Sequence, residues 1–303
     1  MGTPHAAVPT LRQCLADGHE VVAVWTQPDR PAGRGHKVTF SPVKEFALSH
    51  GLTVFQPARI KNEESKKLFA SHDADVAVVV AYGRILPEEF LRAPQRGCIN
   101  VHFSLLPRYR GAAPANWAII NGDTETGVTT MFIEPALDTG PILLQQKTEI
   151  GETETMPELM ERLAEIGAGL LGETLARLDE ITPQPQNDAQ ATFAPVLKKQ
   201  DGLINWAQSA ATIERRVRGL QPWPNAYTSY NSKGMIVWRA QPITSSSTSA
   251  AGEVIIAQGD DLLVGCGEQT ALRLIEVQPE ARKRMTARDL VNGMHVKVGD
   301  RFG

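Results

Sequence analysis

The run VAVVVAY, Val76 to Tyr82, narrows the choice of fold more than any other stretch of the chain. It has no alternation of polar and apolar residues, so neither face of a strand built from it can meet water. A strand buried on both faces belongs inside a sheet covered by helices, the arrangement of parallel α/β domains. EVVAVWT (Glu20 to Thr26) has the same character. Around these runs, helical spacing of Val8, Leu11 and Leu15 predicts a helix over 4–17. Helices are also predicted over 42–50, with Ser41 as N-cap and Pro42 at the first position, and over 62–71, 87–92 and 114–121. Short strands fall at 53–55, 75–81 and 98–102. The expectation is an open, mostly parallel, Rossmann-like sheet with helices on both faces. The chain starts at a Met1-Gly2-Thr3-Pro4 turn, which belongs at the C-terminal end of a strand, so a central first strand is expected to precede Met1.

The rhythm then changes. Val128–Ile133 and Ile142–Glu149, joined by EPALDTGP, read as a hairpin on the sheet edge, followed by an amphipathic helix over about 156–179. ITPQPQNDAQATFAP (Ile181 to Pro195) is rich in Pro, Gln and Asn and reads as a linker. Beyond it come a helix near 209–219, short strands near 226–230, 235–240, 252–257, 261–265 and 270–277, and a short helix over 286–292. Many short strands with few helices predict a small, OB-like β-barrel. The expected organisation is a catalytic domain over 1–181, a linker over 182–197 and a barrel domain over 198–303.

A chain of 303 residues suits two such domains. No apolar run approaches a membrane span, and the first ten residues lack the basic and apolar regions of a secretory signal. Three cysteines far apart argue against a disulfide framework and for a reducing compartment. The absence of CxxC or HExxH spacing argues against a metal site. Net charge is −3, but residues 1–197 carry 17 Lys+Arg against 24 Asp+Glu, whereas residues 198–303 carry 14 against 10. A basic second part suits an anionic partner.

The candidate chemistry lies in CINVHFSLLPRYRGAAP (Cys98 to Pro114). Asn100 and His102, two apart in a strand, project to the same face. They sit at the strand's C-terminal end, where ligands bind in open α/β sheets. Imidazole exchanges protons near neutral pH, and an amide can donate to a developing oxyanion. Taken singly, a histidine at a strand end or an aspartate in a turn such as Asp138 is ordinary. The basic loop DRPAGRGHK (Asp29 to Lys37) is not GxGxxG, and on composition alone it reads as a solvated surface loop.

NVH followed by SLLPRYRGAAP and then LDTGPIL resembles the folate-dependent formyltransferases. TQPDRPAGRGHK, FQPARI, AYGRILP, GDTETGVT and QPWP resemble the members of that family that act on initiator methionyl-tRNA. The resemblance covers essentially the whole chain. It implies formyl transfer from 10-formyltetrahydrofolate, without a metal, to the α-amino group of methionyl-tRNA. Asn100, His102 and Asp138 would be the catalytic residues. Ser104, Leu105, Leu106 and Pro107, with Tyr82, Gly83, Arg84, Ile85 and Leu86, would hold the folate. Arg30, Arg34 and Lys37 would meet the acceptor end of the tRNA, and Arg215, Arg216, Arg218 and the ARKR run (Ala281 to Arg284) would meet its backbone. Trp223 and Trp238 are expected to pack in the core rather than stack on bases. A monomer in the cytoplasm of a bacterial-type cell is expected, with no DNA or membrane partner. The alternatives are formyltransferases acting on amino sugars or glycinamide ribonucleotide, and a catalytically weakened tRNA-binding homologue. Phe103 stands where the family usually has glycine or proline, and it is expected to narrow the site or shift the His102 backbone.

Overall fold

The structure, a computed structural model, describes residues 1–32, 37–244 and 249–303. The elements in chain order are α1 (Val8–Ala16), β1 (Val24–Trp25), β2 (Arg30–Ala32), β3 (Lys37–Thr39), α2 (Pro42–Ser49), β4 (Val54–Phe55), α3 (Glu63–Ala70), β5 (Ala77–Val79) and α4 (Glu88–Arg92). They continue with β6 (Cys98–His102), β7 (Arg110–Gly111), α5 (Pro114–Asn121), β8 (Glu125–Phe132), β9 (Ile142–Glu149), α6 (Met156–Ala176) and β10 (Phe193–Ala194). The last part holds α7 (Ala210–Gly219), β11 (Ala226–Tyr230), β12 (Lys233–Thr244), β13 (Val254–Gln258), β14 (Asp261–Gly265), β15 (Thr270–Pro279), β16 (Met285–Thr286) and α8 (Ala287–Met294). Two compact units result. One comprises residues 1–114, 126–149 and 160–194, and the other residues 115–125, 150–159 and 195–303.

In the first unit, β5, β6, β8 and β9 form a four-stranded sheet in that order. β5 and β6 are parallel, and β6 and β8 antiparallel, so an antiparallel edge closes a mostly parallel sheet. β1 and β4 form a separate parallel pair. Met1 and Gly2 join the two: Gly2 N–H donates to Trp25 O at 3.0 Å, and Val80 N–H donates to Met1 O at 2.9 Å. Gly2 and Val80 make a parallel bridge. Beyond that junction, residues 19–25 and 72–78 line a cavity of about 340 Å³. The predicted strands 20–26 and 75–81 therefore shrink to Val24–Trp25 and Ala77–Val79, because a ladder extends only as far as it has a hydrogen-bonding neighbour. The helix predicted over 4–17 opens as a 3₁₀ turn at His5–Ala7 and becomes α-helical only from Val8.

The core on one face of this sheet is aromatic. Trp25 meets Phe69 edge-on at 5.3 Å, and Phe69 stacks on Phe90 at 4.1 Å. Trp25 Nε1–H donates to His72 Nε2 at 3.1 Å, so that histidine is held neutral, and burial lowers its pKa. Local signals set the helix starts. Ser41 caps α2 by accepting from Lys44 N–H, and Asn62 caps α3 by accepting from Ser65 N–H.

The stretch read as a linker contributes to the first unit as far as Ala194. Gln184 bridges Ile142, and β10 pairs in parallel with β7. The second unit is an antiparallel sheet in the order β11-β12-β15-β14-β13, with β16 on β15. Its two edges meet the same tail: Phe302 bridges Tyr230 beside β11, and Arg301 bridges Glu253 beside β13. The chain end thus closes the sheet into a barrel around Ile213, Val237, Leu262, Leu272 and Leu290. Residues 245–248 of the predicted SSSTSAAG loop lie outside the described residues.

The closing tail is pinned by Asp300, which accepts from the Tyr230 hydroxyl at 2.6 Å and from Lys297 N–H at 2.8 Å. These bonds hold its carboxyl below the usual carboxylate range. A carboxyl depressed by folding stabilises the fold above its unfolded pKa of about 3.9, and that contribution is lost as pH falls through its folded value. Tyr230→Phe is expected to cost roughly 1 kcal/mol near neutral pH, a modest figure because the carboxylate still faces solvent. The difference from the parent should shrink at about pH 3, as measured by urea unfolding at both pH values.

Candidate active site

β6 presents the candidate residues. Its register sets Asn100 opposite Val79 and Met131, and His102 opposite Thr129. Ile99 and Val101 are buried on the other face, which leaves the Asn100–His102 face for chemistry. Asn100 is half-buried, and its amide has no hydrogen-bond partner among the described residues. A partly covered amide with free donors is available to a ligand oxygen.

His102 is 5% exposed. Its Nε2 lies 3.0 Å from Tyr109 O. A carbonyl only accepts, so Nε2 carries a proton and donates there. Its Nδ1 lies 3.8 Å from Asp138 Oδ2. The same Oδ2 accepts the Gly111 N–H at 2.7 Å. Asp138 sits at the left-handed φ of 51°, on the loop between β8 and β9. The three predicted catalytic residues therefore converge. The imidazole has one nitrogen committed and one facing a carboxylate. Cys98, in the same strand, is no nucleophile, since burial pushes its thiol up to about 12.

The SLLP turn follows directly. Ser104 Oγ–H donates to Arg108 O at 2.6 Å, so that hydroxyl is spent on the turn. Thr129 Oγ1 donates to Ser104 O at 2.7 Å and accepts from Leu106 N–H at 3.1 Å. Gln145 Nε2 donates to Leu106 O at 2.9 Å and to Thr129 Oγ1 at 2.8 Å. Leu106–Pro107 is cis. Leu105 is half-buried.

The 82–86 loop leaves β5 at the same end of the sheet as the SLLP turn, because β5 and β6 are parallel. Tyr82 and Leu86 are buried in the aromatic core, while Ile85 is 70% exposed. Gly83 has a φ of 78°, and its carbonyl and that of Tyr82 accept from Gln27 Nε2. Arg84 donates to Pro57 O at 3.1 Å. Arg84 and Ile85, with Arg59 to Asn62, line an open pocket of about 640 Å³.

Phe103 does not narrow the site. It is buried on the Val101 side of the strand, toward α6. A Cβ placed at Gly167 of α6 would come within 2.8 Å of Val101 Cγ1 and 3.6 Å of Phe103 Cε1. The gap at Gly167 admits Val101 most closely, with the Phe103 ring in van der Waals contact beside it, and alternation along the chain carries the ring away from His102.

Of the residues expected to meet tRNA, Arg34 lies outside the described residues. The backbones of Arg30 and Lys37 belong to the antiparallel β2–β3 pair. On α7, Arg215 donates to Thr212 Oγ1, Arg216 to Asp201 O, and Arg218 to Glu214 and to Glu154 O. Each of these arginines is half-buried and has at least one partner within the second unit. Arg282, Lys283 and Arg284 of the ARKR run are all exposed, and Arg284 lies over the Trp238 ring at 3.8 Å. Trp238 is half-buried, with Nε1–H donating to Gln278. Trp223 is 55% exposed, against the expectation of a core position, because the QPWP turn carries it outside the barrel.

Sequence reading missed Thr129, Gln145, the Tyr109 carbonyl, Arg110 and Gln186, which build the walls of the site. Only the polar residues of β8 and β9, read from sequence as an edge hairpin, hinted at the first two. Among the described residues no group of three or more His, Cys, Asp or Glu is placed to hold a metal, and no helix is long and apolar enough to cross a membrane.

A free amide donor, an imidazole with one nitrogen assigned and a carboxylate beside it, at the end of a mostly parallel sheet, form a site suited to acyl transfer. The Formyl transferase description matches residues 1–175, and its C-terminal domain matches residues 196–295. A relative from Solibacter usitatus, described as Methionyl-tRNA formyltransferase, is 49% identical over 305 residues, covering 100% of this chain and 97% of its own. One of the same description from Caldanaerobacter subterraneus subsp. tengcongensis is 46% identical over 306 residues, covering 99% and 97%. Among solved structures, the N-formyltransferase from Helicobacter canadensis with folinic acid and dTDP-3-aminofucose aligns with a TM-score of 0.66 at 17% identity, covering 92% of this chain and 97% of its own. HypX from Aquifex aeolicus with tetrahydrofolic acid aligns at 0.58 and 15% identity, covering 84% and 44%. The chain belongs to the formyl transferase family.

Gly167→Leu is expected to lower stability by about 1–3 kcal/mol in urea unfolding, since the added side chain meets Val101 and the Phe103 ring. An unchanged midpoint would contradict the packing assigned to Phe103.

Proposed function

We propose that the protein transfers the formyl group of 10-formyltetrahydrofolate to the α-amino group of methionyl-initiator tRNA. The observation that carries the reading is the convergence of Asn100, His102 and Asp138, in a chain matched end to end by relatives of that description. As co-substrate, the folate supplies the one-carbon unit. The exposed Ile85 and the half-buried Leu105, on the 82–86 and 104–107 turns, suit a flat ring, and the free Asn100 amide is left for its formyl oxygen.

Each residue then has a task. Asn100 donates to the oxygen that gains charge as the amine adds to the formyl carbon. His102, with Nε2–H held by Tyr109, takes the amine proton on Nδ1 and returns it to the departing N10. The amine–carbon bond forms first, and the carbon–N10 bond breaks as the tetrahedral adduct collapses and N10 takes the proton. Asp138 faces Nδ1 and stabilises the imidazolium between the two transfers. The loop carrying Arg30, Arg34 and Lys37 approaches the acceptor end, and the exposed Arg282 and Lys283 join the α7 arginines as candidates for the RNA backbone. Such a reaction belongs in the cytoplasm of a bacterial-type cell.

The direct test is formyl transfer to charged initiator and elongator tRNA. Transfer to the initiator alone is expected. Transfer instead to an amino sugar or glycinamide ribonucleotide, or tRNA binding without transfer, would overturn the reading. His102→Ala is expected to lower kcat by about 10²–10⁴ while the tRNA Kd stays within about twofold. Equal loss of both would contradict a catalytic role.

A further inference from the structure

The geometry points to Gln186 as a positioning residue for Asp138, an inference that rests on the proposed reaction. Its side chain uses both ends on the loops that hold the carboxylate. Nε2 donates to the carbonyls of Asp138 at 2.9 Å and Gly140 at 2.8 Å. Oε1 accepts from Arg110 Nε at 3.0 Å and from Nη2 at 2.8 Å. Arg110 is 4% exposed, and its Nη2 also donates to Asp188 at 2.8 Å.

The residue after Arg110 is Gly111, whose N–H is the donor on the Asp138 carboxylate. Gly111 has a φ of 129° and lies so close to β10 that a Cβ would stand 2.5 Å from Ala194 O. One amide thus ties together the backbone that carries Asp138 and the strand that donates to its side chain. Asp138 needs such ties, because its left-handed φ is unfavourable for a residue with a Cβ. Only an amide fits this position. A carboxylate has no donor for the two carbonyls, and a thioether has neither donor nor a strong acceptor.

Gln186→Met keeps the length and removes every hydrogen bond. It is expected to lower kcat for formyl transfer about 10- to 100-fold, with KM for folate and tRNA within about twofold. In an Asp138→Ala background the same change should cost nothing further, because the two residues act through one carboxylate. Hydrogen exchange at the Gly111 amide, read without any substrate, should accelerate at least about tenfold. Gln186→Glu keeps the acceptor for Arg110 and loses both donors. It should behave like Gln186→Met, and it carries the test if the methionine variant fails to fold. Equal losses of kcat with and without Asp138, or unchanged exchange at Gly111, would overturn the assignment. If the parent protein transfers no formyl group but Gly111 exchange still accelerates in the variants, the positioning role stands and the proposed reaction falls.

Discussion

The site depends on β6 being hydrogen-bonded along both edges and buried on most of both faces. Pairing with β5 and β8 fixes its register, so the positions of Asn100 and His102 are those of the sheet itself. Every other feature of the centre is placed against that strand. The SLLP turn is its continuation, Val101 packs it against α6 at the gap left by Gly167 with Phe103 beside it, and the Asp138 loop reaches it from β8. Because side chains alternate along a strand, one face could be given to packing and the other to chemistry.

The loops around β6 are held by side chains that spend their hydrogen bonds on backbone. Thr129 and Gln145 fix Ser104 and Leu106, Gln27 fixes Tyr82 and Gly83, and Gln186 fixes Asp138 and Gly140. Neutral amides suit this work, since one amide group can donate to two carbonyls and accept from a third group without bringing charge into the cleft. His102 and Asp138, which face each other at 3.8 Å, are then the groups left to meet the substrate.

Ionic groups in the second unit divide in a similar way. On α7, natural candidates for RNA on composition, Arg215 meets the Thr212 hydroxyl, Arg216 a backbone carbonyl, and Arg218 a carbonyl and Glu214, while the turn at Ala281 holds exposed cations at Arg282 and Lys283 without such partners among the described residues. Composition counts charges but does not separate those spent on folding from those facing solvent.

The sequence by itself determined the α/β class of the first unit and the β class of the second, since apolar runs without alternation and short strands with turn signals each suit few architectures. It also placed Asn100 and His102 on one face, because that follows from two-residue periodicity alone. Only the tertiary structure decided that Phe103 turns away from the site and that the tail at Arg301–Phe302 closes the barrel. Only there does the Pro/Gln-rich stretch become a wall of the candidate site. Each of these rests on contacts between residues far apart in the chain. Such contacts leave no periodic trace in sequence, and a glutamine in a polar stretch looks the same whether it meets water or two buried carbonyls.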